Sequence, residues 1–492
     1  VVNVERIQGS AFDDTLTGAN GAPVQRFIGG AGNDVIDGGD GGNDGVDHRD
    51  SDTGSGIVAN LAEGFVDDEF GDQDTVSNIE RVYGTIYDDT IIGDAGDNRF
   101  IGYLGFDIID GGEGNDWLLN NLDETEGLVM DLSTETVTND GYGFGGEIRG
   151  IEGVFGTAFD DVVVADDQNN LLIGNAGNDA LDGGLGFDFI IGGPGADTLA
   201  GGADNPDGGD AFGDAFFGNS IAEFDGDSIT DLGVGDRVQL GAGAVPDDVF
   251  AGLDGDGNLV ISGGGESAVI TLAGGLAPSD VKFFRQGDGF GDLEIGFGFN
   301  LIGTESDDNY GAAELPLVGD YGNDVIQGFG GNDYLGGGEG DDELDGGQGY
   351  DFIEGGAGAD TLTGGADDAG TGEIFGDTFF GATIADFDRD TITDLGVFDR
   401  VQLAEGAVAE DFDAFLNDEG NLVLSGGAES AVITLAGGLK PSSLAFSREG
   451  GDANNDLVID FGFDITGTEG DDNGAEGNAP SLDGGHGNDV LS

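Results

Sequence analysis

The sequence of 492 residues contains no cysteine, 8 prolines and 13 basic residues, set against 101 acidic ones. Without cysteine, neither disulfide bonds nor thiol chemistry contributes to this chain. The formal net charge of −88 excludes the basic footprint that nucleic-acid binding requires. No apolar run reaches the length of about eighteen residues that a membrane span needs, and no N-terminal signal peptide is recognisable.

Helix-forming patterns are nearly absent, because 103 residues are glycine and glycine is among the weakest helix formers. The excess of acidic side chains also opposes a compact state through self-repulsion. The sequence therefore predicts a chain without long helices, in which electrostatic repulsion opposes folding.

A nine-residue period is the most regular feature of the chain. Sixteen windows follow the pattern G-G-x-G-x-D-x-U-x, where U is a large apolar residue, and GGAGNDVID at 29–37 is the clearest copy. Four windows run in phase over 84–119, five over 156–200 and five over 319–363, and a last one occupies 484–492. The glycines permit sharp bends with positive φ, and x-U-x is a short strand with its apolar residue inward. A disordered Gly/Asp-rich linker does not explain this fixed phase.

Position six of the window carries the chemistry. It is Asp in fourteen windows and Asn in two, Asn98 and Asn170. Consecutive turns stack at a strand spacing of about 4.8 Å, so the carboxylates form rows in which bare charges repel. Calcium relieves this repulsion, because it is a hard cation that takes about 6–8 oxygen ligands. Carboxylates and the carbonyls at glycine bends both supply oxygen.

The period and its consensus resemble the RTX (repeats-in-toxin, hemolysin-type) calcium-binding nonapeptide of secreted bacterial proteins. The resemblance implies an elongated, all-β fold, in which calcium-binding parallel β-helix (β-roll) runs alternate with antiparallel β-sandwich-like modules. It also implies that two nonapeptides make one coil, with a calcium ion between turn n and turn n+2. The implied pairs are Asp89 with Asp107, Asn98 with Asp116, Asp161 with Asp179, Asn170 with Asp188, Asp179 with Asp197, Asp324 with Asp342, Asp333 with Asp351, and Asp342 with Asp360.

The predicted calcium ligands share position six of a full or interrupted window. They are Asp14, Asp34, Asp44, Asp89, Asn98, Asp107, Asp116, Asp161, Asn170, Asp179, Asp188, Asp197, Asp308, Asp324, Asp333, Asp342, Asp351, Asp360, Asp472 and Asp489. Sites with Asn98 or Asn170 lose one negative charge and are expected to bind calcium more weakly. The period leaves open the partners of Asp34, Asp44, Asp308, Asp472 and Asp489.

Longer repeats organise the chain. VERIQGSAFDD at 4–14 recurs as IERVYGTIYDD at 79–89 and IEGVFGTAFDD at 151–161, and SAVITLAGGL at 267–276 recurs unchanged at 430–439. The predicted organisation is an RTX β-roll with irregular turns at 1–50, a β-helix insertion at 51–83, a β-roll at 84–119, an insertion at 120–155, a β-roll at 156–203, a β-module at 204–300, a β-roll at 301–366, a copy of the β-module at 367–463, and the start of a further RTX run at 464–492.

Several other features have two interpretations each. DGDGN at 254–258 resembles the start of an EF-hand calcium loop, but Gly265 stands where that loop has its last Glu, so a polar hairpin turn is favoured. Four aspartates after each long run either bind ions that close the run or form a solvated acidic face: Asp225, Asp227, Asp231 and Asp236, with the copies Asp388, Asp390, Asp394 and Asp399. Four aromatic residues favour local packing over a carbohydrate-stacking platform: Phe106, Trp117, Phe187 and Tyr350.

No catalytic constellation is recognisable. The H-E-x-x-H motif is missing, and the two histidines, His48 and His486, do not lie near a nucleophile-elbow sequence. Among 101 acidic residues nothing singles out a glycosidase-type pair. The sequence predicts no enzyme activity, no catalytic residue and no organic cofactor, and it predicts multiple Ca²⁺ ions as the bound cofactor.

These expectations favour a calcium-dependent structural protein, extracellular or at the cell surface, as a subunit of a surface layer, filament or adhesin. Its expected partners are the type I secretion machinery during export, further copies bound head-to-tail or laterally, or a cell-surface polysaccharide. The alternative is a non-catalytic RTX carrier region that helps to export an adjoining protease, lipase, epimerase or toxin. A polysaccharide-binding or polysaccharide-modifying β-helix is a third option.

Overall fold

The computed structural model describes the chain in segments that fall into two compact units. The described residues are 6–19, 24–49, 54–120, 124–202, 213–241, 249–274, 276–285, 293–303, 316–366, 376–396, 398–404, 412–427, 429–436, 440–448, 456–465 and 490–491. Unit 1 comprises Val1–Gly275 and Arg285–Glu294, and unit 2 comprises Leu276–Phe284 and Ile295–Ser492. The predicted ligands Asp308, Asp472 and Asp489 lie outside the described residues, as does His486.

The first thirty strands are short, and most have three or four residues. They are β1 Arg6–Gln8, β2 Thr15–Thr17, β3 Arg26–Ile28, β4 Val35–Asp37, β5 Gly45–Asp47, β6 Val58–Asn60, β7 Phe65–Asp67, β8 Gln73–Ser77, β9 Arg81–Tyr83, β10 Thr90–Ile92, β11 Arg99–Ile101, β12 Asp107–Asp110, β13 Trp117–Leu118, β14 Leu128–Asp131, β15 Thr136–Asp140, β16 Gly146–Arg149, β17 Gly153–Phe155, β18 Val162–Val164, β19 Leu171–Ile173, β20 Ala180–Asp182, β21 Phe189–Ile191, β22 Thr198–Ala200, β23 Ala215–Gly218, β24 Ser228–Ile229, β25 Arg237–Leu240, β26 Phe250–Leu253, β27 Leu259–Gly263, β28 Glu266–Leu272, β29 Asp280–Arg285 and β30 Leu293–Gly298.

Longer strands appear in the second half of the chain. They are β31 Asn300–Ile302, β32 Leu317–Val318, β33 Val325–Gln327, β34 Tyr334–Glu339, β35 Glu343–Gln348, β36 Phe352–Ala357, β37 Thr361–Ala366, β38 Thr378–Gly381, β39 Thr391–Ile392, β40 Arg400–Leu403, β41 Asp413–Leu416, β42 Leu422–Gly426, β43 Glu429–Leu435, β44 Pro441–Arg448, β45 Leu457–Ile465 and β46 Val490–Leu491. The helical elements of the described segments are two 3-10 turns, Ile221–Phe224 and Ala385–Phe387. None of the described helices is long and apolar enough to cross a membrane.

The repeat runs form a parallel β-roll, as the resemblance to the RTX repeat implies. In unit 1 the strands β1, β3, β5, β9, β11, β13, β17, β19, β21, β23 and β25 pair in that order, all in parallel. The intervening windows form the opposite sheet, so that β18, β20 and β22 pair in parallel. Leu171 pairs with Phe189, a spacing of two windows, because each coil contributes one strand to each sheet.

The insertions keep the roll in register. Strands β6, β7 and β8 form an antiparallel meander, in which β8 pairs in parallel with β4 and β6 with β10. Strands β14, β15 and β16 form a second meander, which joins β12 to β18 in the same way. Each insertion therefore extends one sheet by three strands without shifting the turns that follow.

Unit 2 repeats this plan. One sheet has the order β31, β33, β35, β37, β39, β43, β42, β41, and the other has β32, β34, β36, β38, β40, β45, β44. The pairing is parallel as far as the contact of β39 with β43, and antiparallel from β43 to β41. The antiparallel segments of the predicted sandwich-like module therefore continue the sheets of the roll. The all-β prediction, with parallel roll and antiparallel segments, is confirmed.

The core lies between the two sheets of each roll. Every position-eight residue whose side chain is described is buried, from Ile36 and Phe100 in unit 1 to Leu362 in unit 2. The preceding residue faces out, as Val35 does with 47% of its surface exposed. Leu491 lies in β46, and its side chain is outside the described ones. Position eight thus supplies one inward apolar side chain per strand.

Candidate metal centre

The position-six residues of the repeat runs form hydrogen-bonded rows. In each predicted pair, the backbone N–H of the earlier residue donates to the Oδ1 atom of the residue 18 positions later. The distances are 2.9 Å for Asp89 to Asp107, 2.6 Å for Asn98 to Asp116, 2.8 Å for Asp161 to Asp179, 2.7 Å for Asn170 to Asp188, 2.9 Å for Asp179 to Asp197, 2.8 Å for Asp324 to Asp342, 3.0 Å for Asp333 to Asp351, and 2.9 Å for Asp342 to Asp360. The structure thus brings together all eight pairs.

The predicted calcium ligands that the structure describes have buried side chains, with one exception. Asp14 is half-buried, and Asp107, at 8%, is the most exposed of the other predicted ligands that the structure describes. Several carboxylates also have one oxygen without a hydrogen bond. The Oδ2 atoms of Asp34, Asp116, Asp179 and Asp197 are buried and accept none. An ionised oxygen in that state is costly unless a cation lies beside it.

Glycine at position one makes room for the second carboxylate oxygen. A Cβ atom added to Gly174 would collide with Asp179 Oδ2 and would lie 2.7 Å from the carbonyl oxygen of Gly192. The same holds at Gly337, where the added atom would meet Asp342 Oδ2 and lie 2.5 Å from Gly355 O. A carboxylate oxygen and a backbone carbonyl of the next coil therefore converge beside each of these glycines.

The pKa values of the row show how unfavourable the bare charges are. Burial, and then repulsion from Asp89, raises the pKa of Asp107 to about 8. Burial raises the pKa of Asp116 to about 7, with Glu152 adding repulsion. The pKa of Asp179 also rises to about 7, through burial and then the charges of Asp161 and Asp197. A divalent cation between the coils would reverse these shifts.

The donor set fits calcium, which prefers oxygen ligands from carboxylates and carbonyls. Among the described residues no three Asp, Glu or His side chains are gathered as a metal-binding group. Backbone carbonyls or water would therefore complete a coordination shell beside two carboxylates. Asp179 and Asp197 with the Gly192 carbonyl are one such set in unit 1. Calcium would supply positive charge there, and the chain's own part is to hold oxygen atoms in place.

Three turns that open a run differ from this plan. At Asp161, Oδ2 accepts the backbone N–H of Thr157 (2.7 Å), and Oδ1 accepts the Thr157 hydroxyl (2.7 Å) and the N–H of Leu128 (2.6 Å). Thr85 donates to Asp89 in the same way, and Ser10 donates through its N–H and hydroxyl to Asp14 Oδ2. The protein itself satisfies these three carboxylates, which leaves them less to offer a cation.

Some members of the rows lie outside the nonapeptides. Sequence reasoning missed Asp74, Asp214, Asp377, Glu80 and Glu152, and it left Asp227, Asp236, Asp390 and Asp399 with two interpretations. The N–H of Asp34 donates to Asp74 (2.8 Å), that of Asp188 to Asp214 (2.7 Å), that of Asp214 to Asp236 (2.8 Å), that of Asp197 to Asp227 (2.9 Å), that of Asp351 to Asp377 (2.9 Å), that of Asp377 to Asp399 (3.0 Å) and that of Asp360 to Asp390 (3.0 Å). Glu80 accepts from Asp44, and Glu152 from Asp116. The signal for these aspartates is a D-x-U sequence that lacks the full G-G-x-G of the nonapeptide before it, as in Asp74-Thr75-Val76.

The four aspartates after each run separate into different roles. Asp227 and Asp236 are buried members of the rows, whereas Asp225 is exposed. Asp231 accepts hydrogen bonds from the N–H groups of Gly201 (3.1 Å) and Gly202 (2.7 Å). The copies in unit 2 repeat this division. Asp390 and Asp399 are buried, Asp388 is exposed, and Asp394 accepts hydrogen bonds from two glycine N–H groups. Neither a set of ion ligands nor a solvated face describes all four.

The remaining candidates have local roles. Asp254 Oδ1 accepts the N–H groups of Asp256 and Asn258 in the turn between β26 and β27, which is the predicted hairpin. His48 is buried, with its Nδ1 atom 2.7 Å from Glu69 Oε2.

The four aromatic residues are distributed over local contacts. Arg99 lies over the ring of Trp117, Arg237 over Phe187 and Arg400 over Tyr350, at 4.7, 5.0 and 5.7 Å from the ring centres. Phe106 is half exposed at 48%. Three of these rings are therefore engaged by arginine side chains within the protein.

A substitution that fills the space beside Gly174 tests the site directly. We expect Gly174→Ala to lower the number of calcium ions bound per chain by one, because the added methyl group takes the space beside Asp179 Oδ2 and Gly192 O. The measurement is calcium titration against a chromophoric chelator. Gly255→Ala is the matched control, since a Cβ there meets nothing within 4 Å. An unchanged ion count in Gly174→Ala would show that calcium does not use this space.

Comparisons with known proteins address the repeats. The profile of the RTX calcium-binding nonapeptide repeat matches residues 3–22, 26–46, 83–118, 155–190, 181–206, 317–344 and 336–368. Among curated proteins nothing matches the chain. Among solved structures, the chain is similar to the extracellular lipase LipA from Serratia marcescens, with 15% identity and a TM-score of 0.13. That match covers 57% of this chain and 37% of the lipase chain, so this chain spans little more than a third of the lipase's length.

Proposed function

We propose, from the premise that this chain belongs to the RTX calcium-binding repeat proteins, that it is a non-catalytic structural protein that folds on binding calcium outside the cell. RTX repeats bind calcium, and proteins that contain them are typically secreted by the type I route. The finer proposal is that the chain is a subunit of a surface layer, filament or adhesin.

The continuity of the carboxylate rows carries this proposal. The row of unit 1 passes from Asp179 through Asp197 to Asp227, and that of unit 2 from Asp342 through Asp360 to Asp390. Repeat and module therefore share one row and one pair of sheets. A module that is continuous with its roll, and present twice, is suited to a load-bearing scaffold.

Edge strands in the module support self-association. Strands β41 and β44 end the two sheets of unit 2 in the described part of the chain. Phe415 on β41 is 47% exposed, and Phe446 on β44 is 51% exposed. An edge strand offers unpaired backbone groups to another chain, and exposed apolar side chains favour such pairing. Lateral contact between copies is the form of assembly that these edges favour.

Electron microscopy of the calcium-loaded protein tests the proposal. We expect ordered fibres or sheets with calcium, and their loss in Phe415→Lys, because a charge on an edge strand opposes edge pairing. Phe106→Lys is the control, since it changes an equally exposed Phe, 48%, on a turn of unit 1. Dispersed monomers of the folded wild type would contradict the scaffold and favour the carrier region of a larger exported enzyme or toxin.

A further inference from the structure

We infer that the insertion meander β6–β8 builds a divalent-cation site together with Asp34, outside the nine-residue period. The new ligand is Asp74, which the repeat pattern does not assign. The inference rests on the proposed calcium-dependent folding, and it extends that chemistry to a segment that carries no nonapeptide.

The meander puts Asp74 in the place of a missing repeat. Strand β8 pairs in parallel with β4, with Val35 opposite Thr75 and Ile36 opposite Val76. The N–H of Asp34 donates to Asp74 Oδ1 at 2.8 Å, which is the geometry of the pairs within the runs. Asp74 therefore stands one coil beyond Asp34, although it lies 40 positions later in the chain.

Both second oxygens lack a hydrogen bond and point to one place. Asp34 and Asp74 are each 1% exposed, and neither Oδ2 atom accepts a hydrogen bond. A Cβ atom added to Gly29 would lie 2.5 Å from Asp34 Oδ2 and 2.8 Å from Asp74 Oδ2. Two buried carboxylate oxygens thus converge beside one glycine, and two such charges are unfavourable together unless a cation lies between them.

The surroundings add acidic groups. Asp68, which precedes β8, has a buried Oδ2 atom that accepts no hydrogen bond. Asp72 Oδ2 accepts the N–H of Gly32 at 2.9 Å, so the turn of the repeat and the meander are held together. With oxygen donors at its centre, the site suits a hard cation such as calcium and does not suit metals that prefer nitrogen or sulfur.

The same replacement recurs where the modules begin. Asp227 and Asp390 directly precede strands β24 and β39, and they accept the N–H groups of Asp197 and Asp360 at 2.9 and 3.0 Å. Asp390 is fully buried, and its Oδ2 atom accepts no hydrogen bond. A strand preceded by Asp that continues the sheet therefore extends the row without the G-G-x-G sequence of the nonapeptide.

Substitutions in the meander test the site. We expect Asp74→Asn to bind one calcium ion fewer per chain than the wild type, measured by chelator competition and by metal analysis after dialysis. Asp67→Asn is the control, because it removes an exposed charge from the same meander and should keep the full count. Hydrogen exchange is the second readout, and calcium should protect β4 and β8 in the wild type but not in Asp74→Asn.

A second variant keeps the test decisive if Asp74→Asn fails to fold. Gly29→Ala fills the space between the two oxygens and should also lose one ion, whereas Gly255→Ala should lose none. If the wild type binds calcium and both site variants keep its full count, the inference is overturned and the proposed function stands. If the wild type folds without binding any calcium, the proposed function itself fails.

Discussion

Removal of calcium with a chelator is expected to unfold most of the chain. Burial raises the pKa values of Asp107 and Asp179, and the Oδ2 atom of Asp179 accepts no hydrogen bond, so at neutral pH such charges oppose the compact state. The net charge of −88 adds long-range repulsion. Since the binding site does not exist in the unfolded chain, the free energy of calcium binding is a free energy of folding.

Far-UV circular dichroism and small-angle scattering during a calcium titration measure this effect. We expect loss of β signal and a large increase in radius when calcium is removed, with half-recovery at about 10⁻⁴ to 10⁻³ M, the affinity range of extracellular calcium modules. Magnesium at equal concentration is the control for charge screening, because it demands a tighter octahedral shell. The same β signal with chelator as with calcium would contradict calcium-dependent folding.

In the absence of calcium, acidification from pH 8 towards pH 5 is expected to increase the folded population. The pKa values of Asp107 and Asp390 rise to about 8 in the folded chain, chiefly through burial, whereas the ordinary pKa of an aspartate is about 3.9. The folded state therefore holds more protons than the unfolded state over this range. The free energy of unfolding that these groups contribute is fully present below about pH 4, and it is lost progressively as the pH rises from about 4 through 8.

With calcium bound the direction reverses, because protons compete with the ion for the same oxygens. We expect acid to release calcium from the loaded protein while it compacts the calcium-free protein. Circular dichroism over pH 4 to 8, with chelator and with excess calcium, separates the two curves. A calcium-free chain that loses structure on acidification would show that the raised pKa values do not control its folding.

The predictable part of the site is the part that the period controls. Leu172 and Ile353 are buried, and the backbone N–H of Asp161 donates to Asp179 Oδ1 at 2.8 Å. Both follow because nine residues make one turn and one strand. Asp74 was not assigned and Asp390 kept two interpretations, because their places depend on which strand the meander or the module pairs with the roll. The hydrogen bonds from Thr157 to the Asp161 carboxylate were also not predictable, because they depend on the direction in which the Thr157 backbone N–H points.

The amino-acid order by itself determined the short strands and their inward residues, because glycine bends and apolar alternation act within one or two windows, whereas the spacing of 18 between partners was implied by the resemblance to the RTX repeat. Only the folded molecule decided which distant strands extend the rows, as β8 does for Asp34. It also decided which carboxylates remain without donors, since hydrogen bonds across coils are set by register rather than by local sequence.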